Sequence, residues 1–447
     1  MPAKLKKKDY FFLTALIIVH ALFYIMALHF KKIYSGDAPE YIQEALNIKD
    51  HFFFYCGNMG LPIREEYMTL RPPLYPLFIM FVYLFAINNW IVLLLQSVLS
   101  VTNIFFIRDT LFRLGYNKKY DWLLLLLVIA YPSQFLFSNC IASDILFQSF
   151  VVIYFRHFVL MVYDKNWKHA LWMSIALVLG AMVRPIFYPF VAVHFVGLFI
   201  MAYLQKVNLS KAAGIGLLPI LVILVYNTWN YERTGKFHFS SIEAINANYN
   251  IWEYNNSKLG AIKGTEMYNE LKVKIAAKPS YKERYNTSVK IARQFIKQHF
   301  VSYSLFHLKH VGRIFIEPGK AEIDFYFGWL SLTYLSSAES VNKGFYATMR
   351  ERGWSSIGNY IVTHPSMPMV IIVFMFNCIR LAGFIMFICS KRFLLLIRLF
   401  VLLLMAYFTI TVGPVSNTRY FLPVSLIMIA CSVLGFQAFY EKRKRIA

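Results

Sequence analysis

The sequence contains ten apolar runs, each close to the length at which a helix crosses a lipid bilayer. A helix needs about 20 mainly apolar residues to span the hydrocarbon core. The runs cover residues 10–30, 90–107, 121–139, 145–163, about 167–183, 185–205, 212–229, 366–389, 393–412 and 420–440. Only 15% of the 447 residues are charged, whereas soluble domains average about 25%. The sequence therefore predicts an all-α polytopic membrane protein with about ten transmembrane helices, and argues against disorder or an ordinary soluble enzyme.

The net charge of +23 gives the expected orientation, because cytoplasmic loops of membrane proteins are enriched in Lys and Arg. With ten spans, the basic residues of both termini and of alternate short loops fall on one side. We therefore expect both termini to be cytoplasmic, in a bacterial inner (plasma) membrane, with residues 10–30 retained as the first span. The positive charge is interpreted as an orientation signal and a contact with membrane lipids, and no nucleic acid partner is expected.

This topology divides the chain into three parts: a transmembrane module 1–228 with a first extracytoplasmic loop 31–89, an extracytoplasmic segment 229–365, and C-terminal transmembrane helices 366–447. Residues 73–88 are apolar but short and rich in proline, and an eleventh span there would separate the basic clusters. We therefore expect an interfacial helix in the first loop. The second segment is expected to be mixed in structure, with interfacial helices over 281–316.

Acidic residues at the outer ends of the spans are candidates for chemistry, because charge near the bilayer is costly. Asp37 is followed by Glu40 and Glu44 at spacings that place them on one helical face, and Asp144 begins the fourth span. The structural alternative is helix capping with a solvated acidic face. The functional alternative is a general base or a metal site.

Three arginines lie at the same predicted depth as these acids. They are Arg71 before a Pro-Pro pair, Arg184 between the fifth and sixth spans, and Arg419, which precedes Tyr420 at the start of the last span. The structural alternative for each is snorkelling toward headgroups. Arginine also binds phosphate in a bidentate manner. Their convergence with the acids favours a site for a negatively charged, lipid-linked substrate at the headgroup boundary.

Other polar residues are interpreted as structural. Arg380 and the pair Arg156–His157 fall within spans, where polar pairing inside the bundle is expected, and His20, His29 and His194 lack metal-ligand spacing. Cys56 and Cys140 both face outward in this topology, and a disulfide between them is an open alternative. The sequence carries no P-loop, dinucleotide fingerprint or nucleophile elbow, which argues against an ATP-driven pump or a nucleotide-sugar enzyme.

Seven motifs occur in a characteristic order along the chain, namely GDAPEY, RPPLYPLF, ASDILF, VRPIFYPF, YNTWNYERTGKFHFSSIEAINANYNIW, KIARQFIKQHFVSYSLFHLKHV and NTRYFLPV. In this order and topology the sequence resembles the GT-C superfamily of integral-membrane glycosyltransferases. The resemblance is greatest to family-39-like proteins related to protein O-mannosyltransferases and the lipid A aminoarabinose transferase. It extends over about residues 30 to 440.

The resemblance implies a GT-C fold and a hexosyl- or pentosyltransferase that uses a polyprenyl-phosphate-sugar donor and inverts the anomeric carbon on the periplasmic side. Asp37 matches the catalytic base and Glu40 a neighbouring acid. Arg71 matches a donor-phosphate contact, Asp144 a second acid, and Arg419 with Tyr420 the pair that opens the last span. Arg184 is expected to contact the substrate with them. No cofactor is required, although a divalent cation at Asp37 and Glu40 is an open alternative.

The resemblance leaves the sugar undetermined and the acceptor open as a glycan, a lipid or a protein of the cell envelope. Two other functions stay open from the sequence. One is a glycan ligase or polymerase with a polyprenyl-diphosphate donor. The other is a transporter or flippase of lipid-linked sugars, although the internal symmetry expected of many transporters is not visible.

Overall fold

The structure is a computed structural model that describes residues 7–206, 208–329, 364–415 and 417–446, together with Gly353, Ser355 and Gly358. These residues are helical apart from loops and one isolated parallel bridge between Tyr34 and Ile141. Seven helices have the length and composition needed to cross a membrane: Asp9–Phe30, Asn89–Arg113, Asp144–Asp164, Pro185–Gln205, Leu209–Thr234, Met367–Cys389 and Thr418–Lys444. The described part of the chain is thus an all-α polytopic membrane protein, as predicted.

The helices are numbered here in chain order. The first nine are α1 (Lys7–Phe30), α2 (Ala38–His51), α3 (Leu74–Tyr83), α4 (Asn89–Arg113), α5 (Asp121–Ile129), α6 (Ser133–Ser138), α7 (Asp144–Asp164), α8 (Lys168–Val183) and α9 (Phe190–Gln205). The next six are α10 (Leu209–Thr234), α11 (Ile242–Leu259), α12 (Ala261–Ala276), α13 (Tyr281–Gln298), α14 (Phe300–Arg313) and α15 (Lys320–Tyr326). The last three described are α16 (Met367–Cys389), α17 (Leu395–Thr411) and α18 (Thr418–Ile446).

Three of the ten predicted spans are not single long helices: two are shorter helices and one is divided in two. The spans predicted at 167–183 and 393–412 are the apolar helices α8 and α17, of 16 and 17 residues. The prediction of one helix over 121–139 is wrong, because α5 ends at Ile129 and α6 begins at Ser133. The break contains Pro132, which lacks a backbone N–H and cannot continue the hydrogen-bond ladder. The total of ten spans stays a prediction.

Arg380 compensates for this break inside the bundle. Its side chain is buried and donates hydrogen bonds to the carbonyl oxygens of Leu127 (3.2 Å) and Ala130 (2.5 Å), the latter in the break itself. Carbonyl groups at the end of a helix have no intrahelical partner and need another donor when they are buried. The predicted polar pairing of Arg380 within the bundle is therefore confirmed.

Helix α18 forms the centre of the bundle. It is almost wholly buried and packs against α16, α7, α17, α4 and α5. The approach of α16 to α18 requires glycine on both helices, since a Cβ atom on Gly435 would lie 2.0 Å from the carbonyl oxygen of Gly383. Small residues allow such close helix contact in membrane proteins.

The loop between α1 and α4 contains α2 and α3, and the prediction of helices there is confirmed. Tyr75 and Ile79 bury one face of α3 against the bundle. Helix α10 extends to Thr234, beyond the predicted end of the span at 229. The following segment was expected to be mixed, but its described part, up to residue 329, contains helices and connecting turns only. The helical spacing over 281–316 is confirmed as α13 and α14, with a break at His299.

The histidines, the Arg156–His157 pair and the two outward-facing cysteines each make contacts that bear on the predictions for them. His20 hydrogen-bonds Ser100 (2.9 Å), and His194 lies between the hydroxyl groups of Tyr154 and Ser174 (2.8 Å each), so both are structural. Arg156 pairs with Asp109 and His157 with His169. Cys56 and Cys140 are buried free thiols and do not form a disulfide.

Candidate active site

Six charged side chains form one continuous series of contacts at the end of the bundle where α7 and α18 begin. Acidic and basic residues alternate along this series, which we call the charged row: Glu40, Arg71, Asp37, Arg419, Asp144 and Arg184. The row combines every charged candidate of the predicted site. The convergence predicted from the sequence is therefore present in the structure.

Arg71 joins the first two acids of the charged row. Its Nε donates a hydrogen bond to Glu40 Oε2 at 2.6 Å, and its Nη2 donates to Asp37 Oδ1 at 2.8 Å. The guanidinium carbon also lies 5.1 Å from the centre of the Tyr41 ring, a cation–π contact. The Nε and Nη2 atoms of Arg71 are thus engaged by carboxylates.

Arg419 joins Asp37 to Asp144. Its Nη2 lies 2.6 Å from Asp37 Oδ2, and its Nε donates a hydrogen bond to Asp144 Oδ2 at 3.0 Å. The second oxygen of Asp144 accepts a hydrogen bond from Arg184 Nη1 at 2.7 Å. Tyr420 lies next to this end of the row, with its ring centre 6.0 Å from the guanidinium carbon of Arg184.

Two acids from distant parts of the sequence are brought together by contacts between the loops before α2 and α7. The backbone N–H of Ile141 donates to the carbonyl oxygen of Ile33 at 2.7 Å. The hydroxyl groups of Tyr41 and Ser143 hydrogen-bond at 3.0 Å. These contacts fix the start of α2 beside the start of α7, and so place Asp37 near Asp144.

Arg71 is positioned by the segment that follows α10. The backbone N–H of Ser241 donates to the carbonyl oxygen of Thr69 at 3.1 Å, and the Ser240 hydroxyl donates to that of Leu70 at 3.1 Å. The loop before α3 is therefore held between α2 and residues 240–241. This contact links the first loop to the helices after α10.

The other two arginines lie at helix ends that the sequence specifies. Arg184 follows the last residue of α8 and is extended (φ −142°, ψ 129°), the region that a residue preceding proline favours. Arg419 is the second residue of α18, and the Asn417 side chain accepts a hydrogen bond from its backbone N–H at 2.8 Å. Both side chains thus start from the end of the bundle that contains the acids.

The contacts decide between the structural and functional interpretations of these residues. Asp37 occupies the N-cap position of α2, but its side chain makes no capping hydrogen bond. Both oxygens of Asp144 face arginines. The three arginine side chains are only 11–15% exposed, so they do not reach outward as snorkelling residues would. Capping and snorkelling therefore do not account for this group.

The charged row sets the ionisation of Asp37. Burial by itself would raise the pKa of this carboxyl, but the positive charges of Arg419, Arg71 and Arg184 outweigh burial. The pKa of Asp37 is therefore held well below its ordinary value. With no anion bound near these arginines, Asp37 is ionised over the whole physiological pH range.

Glu44 lies outside the charged row, although its spacing from Glu40 predicts a shared helical face. Its side chain is buried, and its Oε2 accepts no hydrogen bond from the residues that the structure describes. Burial raises the pKa of Glu44 well above its ordinary value, since desolvation disfavours the charged form. The pKa of Glu44 is thus shifted in the opposite direction to that of Asp37.

A cavity of about 730 Å³ opens beside the charged row. Asp37, Glu40, Arg71 and Arg184 line its polar side, together with Tyr420. Apolar side chains that include Phe147, Ile186, Phe408, Val412 and Val415 line another side. The cavity thus presents charge to one part of a bound molecule and an apolar surface to another, as an amphipathic ligand requires.

Helix α11 supplies a wall of this cavity that sequence reasoning missed. Its contributing side chains are Ile242, Glu243, Ile245, Asn246, Tyr249 and Asn250. The motif YNTWNYERTGKFHFSSIEAINANYNIW, which includes the first turns of α11, is unusual in its density of Asn, Tyr and Trp. That density was a usable signal, but it does not show which side chains face a cavity.

A divalent cation at Asp37 and Glu40 stays a prediction. Both carboxylates are engaged by Arg71, so a cation there would have to displace the guanidinium group. Over the described residues, no three His, Cys, Asp or Glu side chains are grouped as metal ligands would be.

Comparison of the chain with protein-family models, curated protein sequences and solved structures returned no match. The resemblance to GT-C glycosyltransferases therefore rests on the motifs and their order in the sequence. The geometry of the charged row is the independent observation from which a function can be argued.

Proposed function

We propose that the protein is a membrane glycosyltransferase that moves a sugar from a polyprenyl-phosphate-linked donor to an acceptor hydroxyl group on the extracytoplasmic side. The observation that carries the proposal is the charged row beside the cavity. Two arginines and two carboxylates of the row line the cavity, with Arg419 and Asp144 in contact behind them. This arrangement suits charge redistribution during transfer, and the apolar wall suits a lipid tail. The resemblance stated above supports the same reaction class.

The donor phosphate would bind at the arginines of the charged row. Arg71 and Arg184 line the cavity, and Arg419 lies between the two buried acids. Guanidinium groups hold phosphate by two parallel hydrogen bonds, which also fixes its orientation. Negative charge develops on this phosphate as the sugar departs, so the arginines stabilise the transition state more than the ground state.

Asp37 would act as the general base. The bond between the anomeric carbon and the phosphate oxygen breaks, and its electron pair stays on the polyprenyl phosphate. A bond forms from the acceptor oxygen to the anomeric carbon, and the hydroxyl proton passes to Asp37. Attack opposite the leaving group inverts the anomeric carbon.

Donor binding would also activate this base. The pKa of Asp37 is low because of Arg419, Arg71 and Arg184. The phosphodiester group of the donor carries one negative charge. Bound to the same arginines, it would offset part of their charge, and the pKa of Asp37 would rise toward its ordinary value. The carboxylate therefore becomes a stronger base when the donor is in place.

The basic residues support an extracytoplasmic site in a bacterial inner membrane. Helix α4 runs from Asn89, near Tyr34 beside the site, to Arg113 at the opposite end of the bundle. Arg108, Lys118, Lys119 and Arg392 make their ion pairs at that opposite end. Since Lys and Arg mark the cytoplasmic side, the charged row would face outward.

The test is release of polyprenyl phosphate from purified protein incubated with labelled polyprenyl-phosphate sugars and a panel of envelope glycans, lipids and peptides. Asp37→Asn keeps the shape of the side chain but removes the base, and we expect transfer to fall by about 100-fold or more. Asp37→Ala is expected to abolish transfer without loss of membrane insertion. Asp50→Asn, an exposed aspartate at the other end of α2, is the matched control.

Retention of transfer near the wild-type rate by Asp37→Asn would refute the assignment of the base. Movement of the donor across a vesicle membrane with no release of polyprenyl phosphate would refute glycosyl transfer and indicate transport. Release of polyprenyl diphosphate instead would indicate a ligase or polymerase.

A further inference from the structure

A second cavity of about 400 Å³ lies next to the first, between the segment after α10 and helix α13. We propose that it binds an anionic, hydroxyl-bearing group of the acceptor. This inference rests on the proposed function, since it assigns the second cavity to the second substrate. The volume falls in the roughly 300–1,000 Å³ range of small-molecule sites.

The two cavities share a wall. Tyr188, Phe239 and Glu243 line both of them. The rings of Tyr188 and Phe239 are parallel, with centroids 4.9 Å apart and an angle of 1° between their planes. A molecule in the second cavity is therefore separated from the first cavity by one layer of side chains.

The second cavity is positively charged. Lys236, Lys290 and Arg293 line it, and Glu243 is the one carboxylate among its lining residues. Lys290 and Arg293 form no ion pair with any residue that the structure describes. They lie three positions apart on α13, so their side chains are neighbours on one face. Two adjacent, unneutralised cations at the mouth of a cavity favour a phosphate or carboxylate group.

The remaining polar groups of the cavity are already arranged. Lys236 Nζ donates to Asn286 Oδ1 at 2.7 Å and lies 5.0 Å from the centre of the Tyr285 ring. The Tyr285 hydroxyl donates to Glu243 Oε2 at 2.7 Å. Lys236 and Glu243 are therefore held in place before a ligand binds, whereas the N–H groups of Lys290 and Arg293 can donate hydrogen bonds to the ligand.

Asn227 is an independent observation that favours a ligand with a hydrogen-bond donor. It lines the cavity, it is 6% exposed, and its Oδ1 is buried without a hydrogen-bond donor among the described residues. A buried acceptor without a donor costs free energy, and most such atoms in proteins are satisfied. A hydroxyl group of the bound molecule would supply this donor. The site therefore fits a molecule that carries both negative charge and hydroxyl groups.

Binding can be tested without knowledge of the natural acceptor. Full-length protein in phosphatidylcholine nanodiscs is titrated with glucose 6-phosphate, with glucuronate, and with uncharged glucose, and the melting temperature Tm is followed. A ligand that binds the folded state raises Tm with its concentration. We expect a rise with the charged sugars and no rise with glucose. A second set of nanodiscs that contain phosphatidic acid tests whether a lipid headgroup is the source of the anion.

The decisive variant is Lys290→Gln/Arg293→Gln. Loss of two charge-assisted hydrogen bonds should raise the apparent Kd for glucose 6-phosphate about tenfold or more. Lys263→Gln/Lys274→Gln removes the same charge from exposed positions on α12 and should bind as the wild type does. One outcome is that phosphatidic acid raises Tm in the wild type but not in Lys290→Gln/Arg293→Gln. If glucose 6-phosphate then causes no further rise in Tm, the anion is a lipid headgroup.

Two results would overturn the inference. One is that neither the charged sugars nor phosphatidic acid separates the wild type from Lys290→Gln/Arg293→Gln. The other is an equal loss in the α12 control, which would indicate a general effect of surface charge. The binding assay does not depend on turnover. If the charged sugars do not bind but Asp37-dependent transfer is intact, only the second site is refuted. If the charged sugars bind but no transfer occurs, the proposed reaction is refuted.

Discussion

Arg419 connects the two halves of the charged row, and its removal tests whether the row is an energetic unit. In Arg419→Gln the cation between Asp37 and Asp144 is lost, while a polar side chain remains. Asp144 is fully buried and Asp37 is 25% exposed. The variant therefore leaves two largely desolvated carboxylates with less positive charge near them.

The size of the effect follows from the partners that remain. Removal of one member of a buried ion pair costs about 3–5 kcal/mol. In this case Asp37 keeps Arg71 and Asp144 keeps Arg184. We therefore expect the lower end of the range, about 3 kcal/mol of unfolding free energy. Asp144→Asn/Arg419→Gln should cost about 1–2 kcal/mol less than the sum of the two single variants, because the pair is removed together.

Unfolding in mixed micelles, followed by tryptophan fluorescence, measures these differences. Arg113→Gln is the control, since the side chains of Arg113 and its partner Asp164 are 56% and 33% exposed and such surface pairs contribute less than about 1 kcal/mol. Strict additivity of Asp144→Asn and Arg419→Gln, or a loss in Arg419→Gln no larger than in the control, would refute the charged row as a coupled unit.

Three further predictions concern stability away from the row. Burial raises the pKa of Glu322 from 4.5 to about 7. The stability that the protonated side chain contributes is therefore full below pH 4.5 and is lost as the pH rises through 7. In the same unfolding assay, the unfolding free energy of Glu322→Gln should match that of the wild type near pH 4 and exceed it by up to about 3 kcal/mol at pH 8. Arg108→Gln leaves Asp9 and Asp121 without this buried cation and should lower the unfolding free energy by about 3 kcal/mol or more. The protein that remains folded should bind the donor as the wild type does. Gly435→Ala should lower Tm markedly, because its methyl group would meet the Gly383 carbonyl group, and an unchanged Tm would contradict that packing.

Several site residues could be predicted from the sequence because a charged side chain near the bilayer costs free energy and is therefore rare beside apolar runs. Asp37, Arg71, Asp144, Arg184 and Arg419 all interrupt or flank apolar runs, and alternation of the spans assigns them to one end. The sequence could not show that acids and bases alternate in contact. That order depends on loop contacts such as Ile33 with Ile141, which join residues more than 100 positions apart.

Membrane spanning and the grouping of charged residues at one end were determined by the sequence alone, because both follow from the length and order of apolar runs. Only the tertiary structure decided which charges meet, where the cavities lie, and that α11 closes the first of them. Periodicity identifies the exposed and buried faces of a helix but not the partner of a buried face. Asn227 and Glu243 illustrate this, since the motif that contains them does not show that they line a cavity, which only the fold decides.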